Sequence, residues 1–217
     1  MEKNNGKIIA IVALVVAVVA LSVGFAAFAD QLTIDGTATA KGNNAFDDAT
    51  NGLNYKANTQ TCVAADDSSN VVTGSYSAGT LSDDSWTGIS VPLTAAHPSV
   101  ICTATVENKT DYTAYLKSIG ASGGVTCSST GDNASTNASN VCSTVNVVVQ
   151  FDTGDTNKLT FGTAKPTTNS STNGSIAGKA EKNVTVTISY DASAVTDEDV
   201  TITLPTITHD YSSASGN

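Results

Sequence analysis

An uninterrupted apolar run near the start of the chain constrains its organisation more than any other feature. The 22 residues from Ile8 to Ala29 carry no charge and no proline, and Lys3 and Lys7 precede them. As a helix, this run extends about 33 Å, enough to cross the roughly 30 Å hydrocarbon core of a membrane. A surface helix of a soluble domain has an apolar stripe, whereas this run is apolar all round. We therefore predict an apolar N-terminal helix that enters or crosses a membrane.

Two interpretations of this run remain open. Its length fits a transmembrane anchor, and its basic start and A-x-A site at Ala27 and Ala29 fit a signal peptide cleaved before Asp30. In both cases the lysines stay in the cytoplasm and the remainder of the chain is translocated. We predict a signal peptide or anchor at residues 1–29 and one extracellular domain at residues 30–217. The protein is then either single-pass in the cell membrane or secreted to the cell surface.

The charge of the chain excludes several partners. Its formal net charge is −10, and lysine supplies every basic residue because the sequence contains no arginine. A surface that binds nucleic acid or anionic lipid headgroups needs clustered cationic side chains. We therefore expect no nucleic-acid partner, and the membrane contact is confined to residues 8–29.

Four cysteines lie beyond the apolar run: Cys62, Cys102, Cys127 and Cys142. An even number of cysteines in an exported chain indicates disulfides, and four cysteines allow three pairings. We favour Cys62–Cys102 and Cys127–Cys142, because the second pair closes a short loop that is too polar to order itself. The paired C-x-x-C spacing and neighbouring histidines of a zinc site are absent.

The rest of the chain is rich in short alternating segments separated by turn residues, which predicts an all-β, antiparallel β-sandwich or open barrel. Trp86, the one tryptophan, is expected in the core. Pro205 is expected to place the last strand at a sheet edge or a bulge. The predicted strands cover residues 31–40, 71–76, 86–93, 100–106, 112–116, 144–151, 159–161, 183–190 and 200–211.

Local connections follow from the same pattern. Residues 98–119 alternate on both sides of a turn at 107–111, which predicts a β-hairpin. Residues 79–84 are expected to form a turn, and residues 120–140 a disulfide-held loop. No segment after the apolar run shows helical periodicity over three turns, so no helix is expected there.

Candidate catalytic and metal-binding residues are few. We expect His97 and His209 to be ordinary surface histidines, since no nucleophile motif accompanies them. The acidic runs at Asp152–Asp155 and Asp197–Asp199 are the candidate loops for a structural calcium ion, and neither matches a calcium-loop pattern. We predict no catalytic residue, no cofactor and no enzymatic activity.

Three blocks of the sequence resemble a known family. They are VGFAAFADQLTIDGTATA, SVICTATVENKTDYTAYLKSI and AGKAEKNVTVTISYD. They are similar to the TasA and camelysin-like exported proteins of biofilm fibres, which have SipW-dependent-type signal peptides. The resemblance implies a jelly-roll-like sandwich that polymerises by donor-strand exchange after cleavage behind Ala29. The donor strand would be Asp30 to Ala40, with Leu32 and Ile34 as its apolar residues. Cysteines are a departure from that family.

The function predicted from these observations is a cell-surface structural or adhesive protein whose partner is itself or another surface component. Two alternatives stay open. Gly6 and Lys7 before the apolar run resemble a prepilin peptidase site, which would make the chain a type IV pilin-like filament subunit. Without cleavage, the chain would be a membrane-anchored monomeric binding module.

Overall fold

A computed structural model describes most of the chain after residue 45. It covers residues 46, 48, 50–66, 76–130, 134–152, 158–169, 174–194 and 200–213. The predicted apolar helix, the cleavage residues Ala27, Ala29 and Asp30, and the donor-strand residues Leu32 and Ile34 lie outside the described residues. Among the described residues, no helix combines the length and the apolar character needed to cross a bilayer.

The first of two antiparallel sheets is centred on two long alternating strands. The strands of this sheet are β1 (Leu53–Tyr55), β2 (Thr61–Ala64), β5 (Ser99–Asn108), β8 (Asn146–Phe151), β9 (Lys158–Phe161) and β11 (Glu181–Ser189). The neighbour order is β1–β5–β11–β8–β9, with β2 beside β5. In the central pair, Val184 of β11 lies opposite Ala104 of β5, and Val186 lies opposite Cys102.

The strands of the second sheet are β3 (Ser77–Ser82), β4 (Ser85–Leu93), β6 (Ala114–Ala121), β7 (Thr126–Ser129), β10 (Ser175–Ile176), β12 (Val200–Thr203) and β13 (Ile207–Ser212). Their neighbour order is β10–β6–β13–β4–β12–β7, and β3 pairs with β4. The two sheets together form a sandwich, which confirms the predicted fold class.

Pro205 interrupts the last predicted strand, but the interruption lies inside the second sheet. Strand β12 lies between β4 and β7, and β13 lies between β4 and β6. Both halves keep one register on β4, since Thr203 lies opposite Ser90 and Ile207 opposite Trp86. Neither expected consequence of Pro205 occurs, because both strands lie inside the sheet and the register on β4 does not shift at the proline. The break at Pro205 is tolerated because its neighbour Leu204 still donates its N–H to the Ile89 carbonyl at 2.9 Å.

The predicted hairpin at residues 98–119 is also wrong in its pairing. Both strands form, but β5 belongs to the first sheet and β6 to the second. The buried Asn108 side chain turns the chain across the sandwich. Its amide donates to the carbonyls of Tyr112, Ile176 and Ala177, and its Oδ1 accepts from the N–H and hydroxyl of Thr110. The β3–β4 hairpin, which turns at residues 83–84, replaces the turn expected at 79–84.

A helix, α1 (Ala134–Thr144), and strand β7 replace most of the loop expected at 120–140. Only Asn137 and Val141 of α1 are buried, four residues apart on one side. The helix has no strong apolar stripe, so periodicity gave no signal for it. The Cys127–Cys142 disulfide ties α1 to β7.

The core between the sheets is apolar and closed. Inward-facing valines and isoleucines of β4, β5, β8 and β11 are less than 2% exposed. Trp86 is fully buried, as predicted, and its indole N–H donates to the Ala78 carbonyl at 2.8 Å. The Cys62–Cys102 disulfide joins β2 to β5 within this core. The structure thus contains both favoured cysteine pairings.

Candidate functional site

The most promising site is a cleft of about 460 Å³, which we call the His209 cleft. Apolar, acidic, basic and aromatic side chains share its wall. The cleft is lined by Phe46, Leu53, Asn54, Asp83, Asp84, Lys117, His209, Asp210 and Tyr211.

A bulge in β6 lies at this cleft. The register between β13 and β6 shifts between Asp210 and Tyr211, because Lys117 is an extra residue of β6 without a partner on β13. His209 and Tyr211 are two residues apart on β13, so both lie on the same face of that strand. Lys117, His209, Asp210 and Tyr211 all line the cleft. The β3–β4 turn supplies the aspartates of residues 83–84.

His209 is buried at 1% exposure, so the prediction of a surface histidine is wrong. Its Nδ1 and the Tyr55 hydroxyl form a hydrogen bond of 2.9 Å, and its backbone N–H donates to the Asp84 carbonyl at 3.0 Å. Burial lowers the pKa of His209 to about 4, and the nearby Asp210 opposes this shift only weakly. The imidazole is therefore neutral at neutral pH.

Two buried polar atoms of this site have no hydrogen-bond partner among the described residues: His209 Nε2 and the Tyr211 hydroxyl. Burial and the charges of Asp84 and Asp210 raise the pKa of Tyr211, so its hydroxyl keeps its proton. A buried polar atom without a partner costs about 1–3 kcal/mol. A water or a ligand that pairs with these atoms would remove this cost.

The aromatic side chains around His209 come from both sheets. Its ring centre lies 5.7 Å from Tyr55, 6.2 Å from Phe151 and 6.4 Å from Tyr211. Tyr55 in turn packs edge-on against Trp86 at 6.1 Å. These ring contacts restrict the orientation of the His209 imidazole.

The carboxylates of the cleft are arranged as hydrogen-bond acceptors. The Ser118 hydroxyl donates to Asp210 Oδ2 at 2.7 Å, which orients that side chain. Across the described residues, no three His, Cys, Asp or Glu side chains converge in a way that could hold a metal ion. Of the acidic runs considered for calcium, Asp152 forms an ion pair with Lys182. Residues 153–157 and 195–199 lie outside the described residues.

His97 is placed differently from His209. It is half-buried, and its Nδ1 lies 3.0 Å from Asp66 Oδ1. The sequence could have separated the two histidines. Ile207 and His209 are two residues apart in the strand that follows Pro205, so both lie on the inward face of β13. His97, in contrast, precedes a proline in a loop.

The two disulfides indicate an extracellular or cell-surface protein, because such bonds persist in oxidising compartments. No protein-family model and no curated protein matches the chain. Among solved structures, TmCBM61 in complex with β-1,4-galactotriose has 13% identity and a TM-score of 0.22, covering 73% of this chain and 87% of that one. The enzymatically active domain of bacteriophage CBA120 tailspike protein 4 has 10% identity and a TM-score of 0.25, covering 79% of this chain and 21% of that one. TM-scores this low carry no argument about function.

Proposed function

We propose that the protein is an exported, non-enzymatic cell-surface protein with a structural or adhesive role. The observation that supports this proposal is a β-sandwich that contains two disulfides at separate places. Cys62–Cys102 lies within the core, and Cys127–Cys142 ties α1 to β7. Cross-links restrict the unfolded chain and so help to preserve the fold in an oxidising environment outside the cell.

Within this role we propose a fibre subunit that assembles by donor-strand exchange. The donor is the strand from Asp30 to Ala40, released by cleavage behind Ala29. Donor strands add to the open edge of a sheet. Among the described strands, β3 pairs only with β4, so the second sheet offers an edge of this kind.

Assembly of the mature chain tests this proposal. Sedimentation and negative-stain microscopy should show polymers of the protein cleaved before Asp30. Leu32→Glu together with Ile34→Glu should abolish them, because two charges would enter the apolar face of the donor strand. Thr33→Glu is the matched control, since Thr33 lies on the opposite face of an alternating strand and should leave assembly intact. A mature chain that stays monomeric, or polymers that survive the double substitution, would overturn donor-strand assembly.

The His209 cleft favours a second candidate, a monomeric binding module anchored by residues 8–29. A pocket with several polar groups converging on it is the usual form of a ligand site. The N-terminus of the protein from its host separates the candidates. A chain that begins at Met1 supports the anchored module, whereas one that begins at Asp30 supports the fibre subunit. A chain that begins at Lys7 supports the pilin-like subunit.

A further inference from the structure

We propose that the His209 cleft binds a neutral sugar, one or two pyranose units in size, through hydrogen bonds to the sugar hydroxyls. This inference goes beyond the proposed structural role, because it assigns a ligand class to a specific site. Its volume of about 460 Å³ lies within the range of about 300–1,000 Å³ that is typical of small-molecule sites.

The first argument is the pair of buried polar groups at the cleft that lack hydrogen-bond partners. His209 is 1% exposed, lines the cleft and has no described partner for Nε2, and the buried Tyr211 hydroxyl has none either. Neutral imidazole and phenol groups donate or accept a hydrogen bond without carrying charge. A ligand hydroxyl that reaches both atoms would remove the cost of leaving them unpaired.

The second argument is the mixture of groups on the wall. Asp83 and Asp210 provide carboxylate acceptors, and Lys117 provides an ammonium donor. A sugar hydroxyl both donates and accepts, so it can satisfy both kinds of group at neighbouring positions. The half-buried Tyr211 ring offers a flat apolar surface that suits the C–H face of a pyranose.

The third argument is the exclusion of anions and metal ions. Three aspartates and one lysine line the cleft, so its net charge is negative and repels an anion. No described group of three or more acidic, histidine or cysteine side chains is arranged to hold a metal ion. A neutral, hydroxyl-rich ligand fits both limits, and the lysine methyl ester in the titration below tests an organic cation.

Isothermal titration of the full protein from its host tests this inference. The probes are glucose, galactose, N-acetylglucosamine and cellobiose, with lysine methyl ester and calcium chloride as the charged comparisons. We expect saturable binding of at least one sugar and none of either charged probe. Failure of all four sugars to bind, or binding of a charged probe in their place, would overturn the assignment.

Two variants connect binding to the cleft. Tyr211→Phe removes only the buried unpaired hydroxyl, so thermal stability should be unchanged or higher while sugar affinity falls about fivefold. Asp83→Asn should weaken binding by about tenfold, because it removes a charge-assisted hydrogen bond. Asp111→Asn is the matched control, since Asp111 is an exposed aspartate in the β5–β6 connection and lies outside the lining of the cleft.

Equal affinities of all three variants and the wild type would show that the sugar binds elsewhere and would contradict the proposal. The assembly and N-terminus experiments are independent of this result. A protein without a sugar site could still be a cell-surface structural protein, so the two proposals fail separately.

Discussion

Removing the Cys127–Cys142 disulfide should destabilise the sandwich by an amount set mainly by chain entropy. The two cysteines are 15 residues apart and only partly buried, so Cys127→Ser with Cys142→Ser leaves little apolar surface unpacked. Closing a loop of this length contributes about 3 kcal/mol to the free energy of unfolding. For a chain of this size, the same loss lowers Tm by roughly 6–12 °C.

Urea unfolding followed by tryptophan fluorescence measures this effect, because Trp86 is buried in the second sheet. The midpoint should fall, and the m-value should rise, since the unfolded chain without the cross-link exposes more surface. Ser128→Ala with Ser139→Ala is the control, since both serines are exposed and lie next to the same elements. A loss below about 1 kcal/mol would refute the view that this cross-link restrains the unfolded chain.

Three further outcomes are expected in urea unfolding. Burial lowers the pKa of His209 to about 4, so between about pH 6.5 and pH 4 the unfolded chain binds a proton that the folded chain does not. The free energy of unfolding should therefore fall by up to about 3 kcal/mol as the pH decreases through this range. His209→Gln should remove this pH dependence, and a variant that keeps it would contradict the assignment. Asn108→Ala should cost about 3 kcal/mol, because the carbonyls of Ile176 and Ala177 lose their donor and Thr110 loses the acceptor of its N–H, whereas exposed Asn146→Ala should cost under about 0.5 kcal/mol. Gly79→Ala should lower the free energy of unfolding more than Gly88→Ala. Both glycines have positive φ, but only at Gly79 would the added Cβ lie 2.4 Å from a backbone oxygen, that of Thr87. Equal losses for the two variants would contradict this reasoning.

Strand formation could be predicted because alternation is a local property of the sequence. Val184, Val186 and Ile188 all face the core of the structure, as their spacing indicates. Which strand pairs with which is not local. Strands β5 and β6 follow one another with a short connection, yet the Asn108 contacts to Ile176 and Ala177 carry the chain to the other sheet.

Helix α1 illustrates a second limit. Its sequence, ASTNASNVCST, is rich in Ser, Thr and Asn, which are weak helix formers. Tertiary contacts of Val141 and the disulfide at Cys142 hold it, so local propensity points away from the observed structure. The same reasoning explains why the polar residues 120–140 favour a loop when only the sequence is considered.

The His209 cleft was the least predictable feature. Its residues come from β1, the β3–β4 turn, β6 and β13, which are far apart in the sequence. The alternation of β13 places Ile207, His209 and Tyr211 on one face, and this much was available from the sequence. The bulge at Lys117 of β6 has no signature in the residue types.

Thiol accessibility on intact cells tests the central claim of a disulfide-linked domain outside the cell. The native host is treated with an external protease and, separately, with a maleimide before and after reduction. The account predicts that protease removes the domain from intact cells and that Cys127 and Cys142 react with maleimide only after reduction. Cys62 and Cys102 are buried in the core, so they should react only after reduction and unfolding. A domain protected inside the cell, with cysteines that react without reduction, would contradict it.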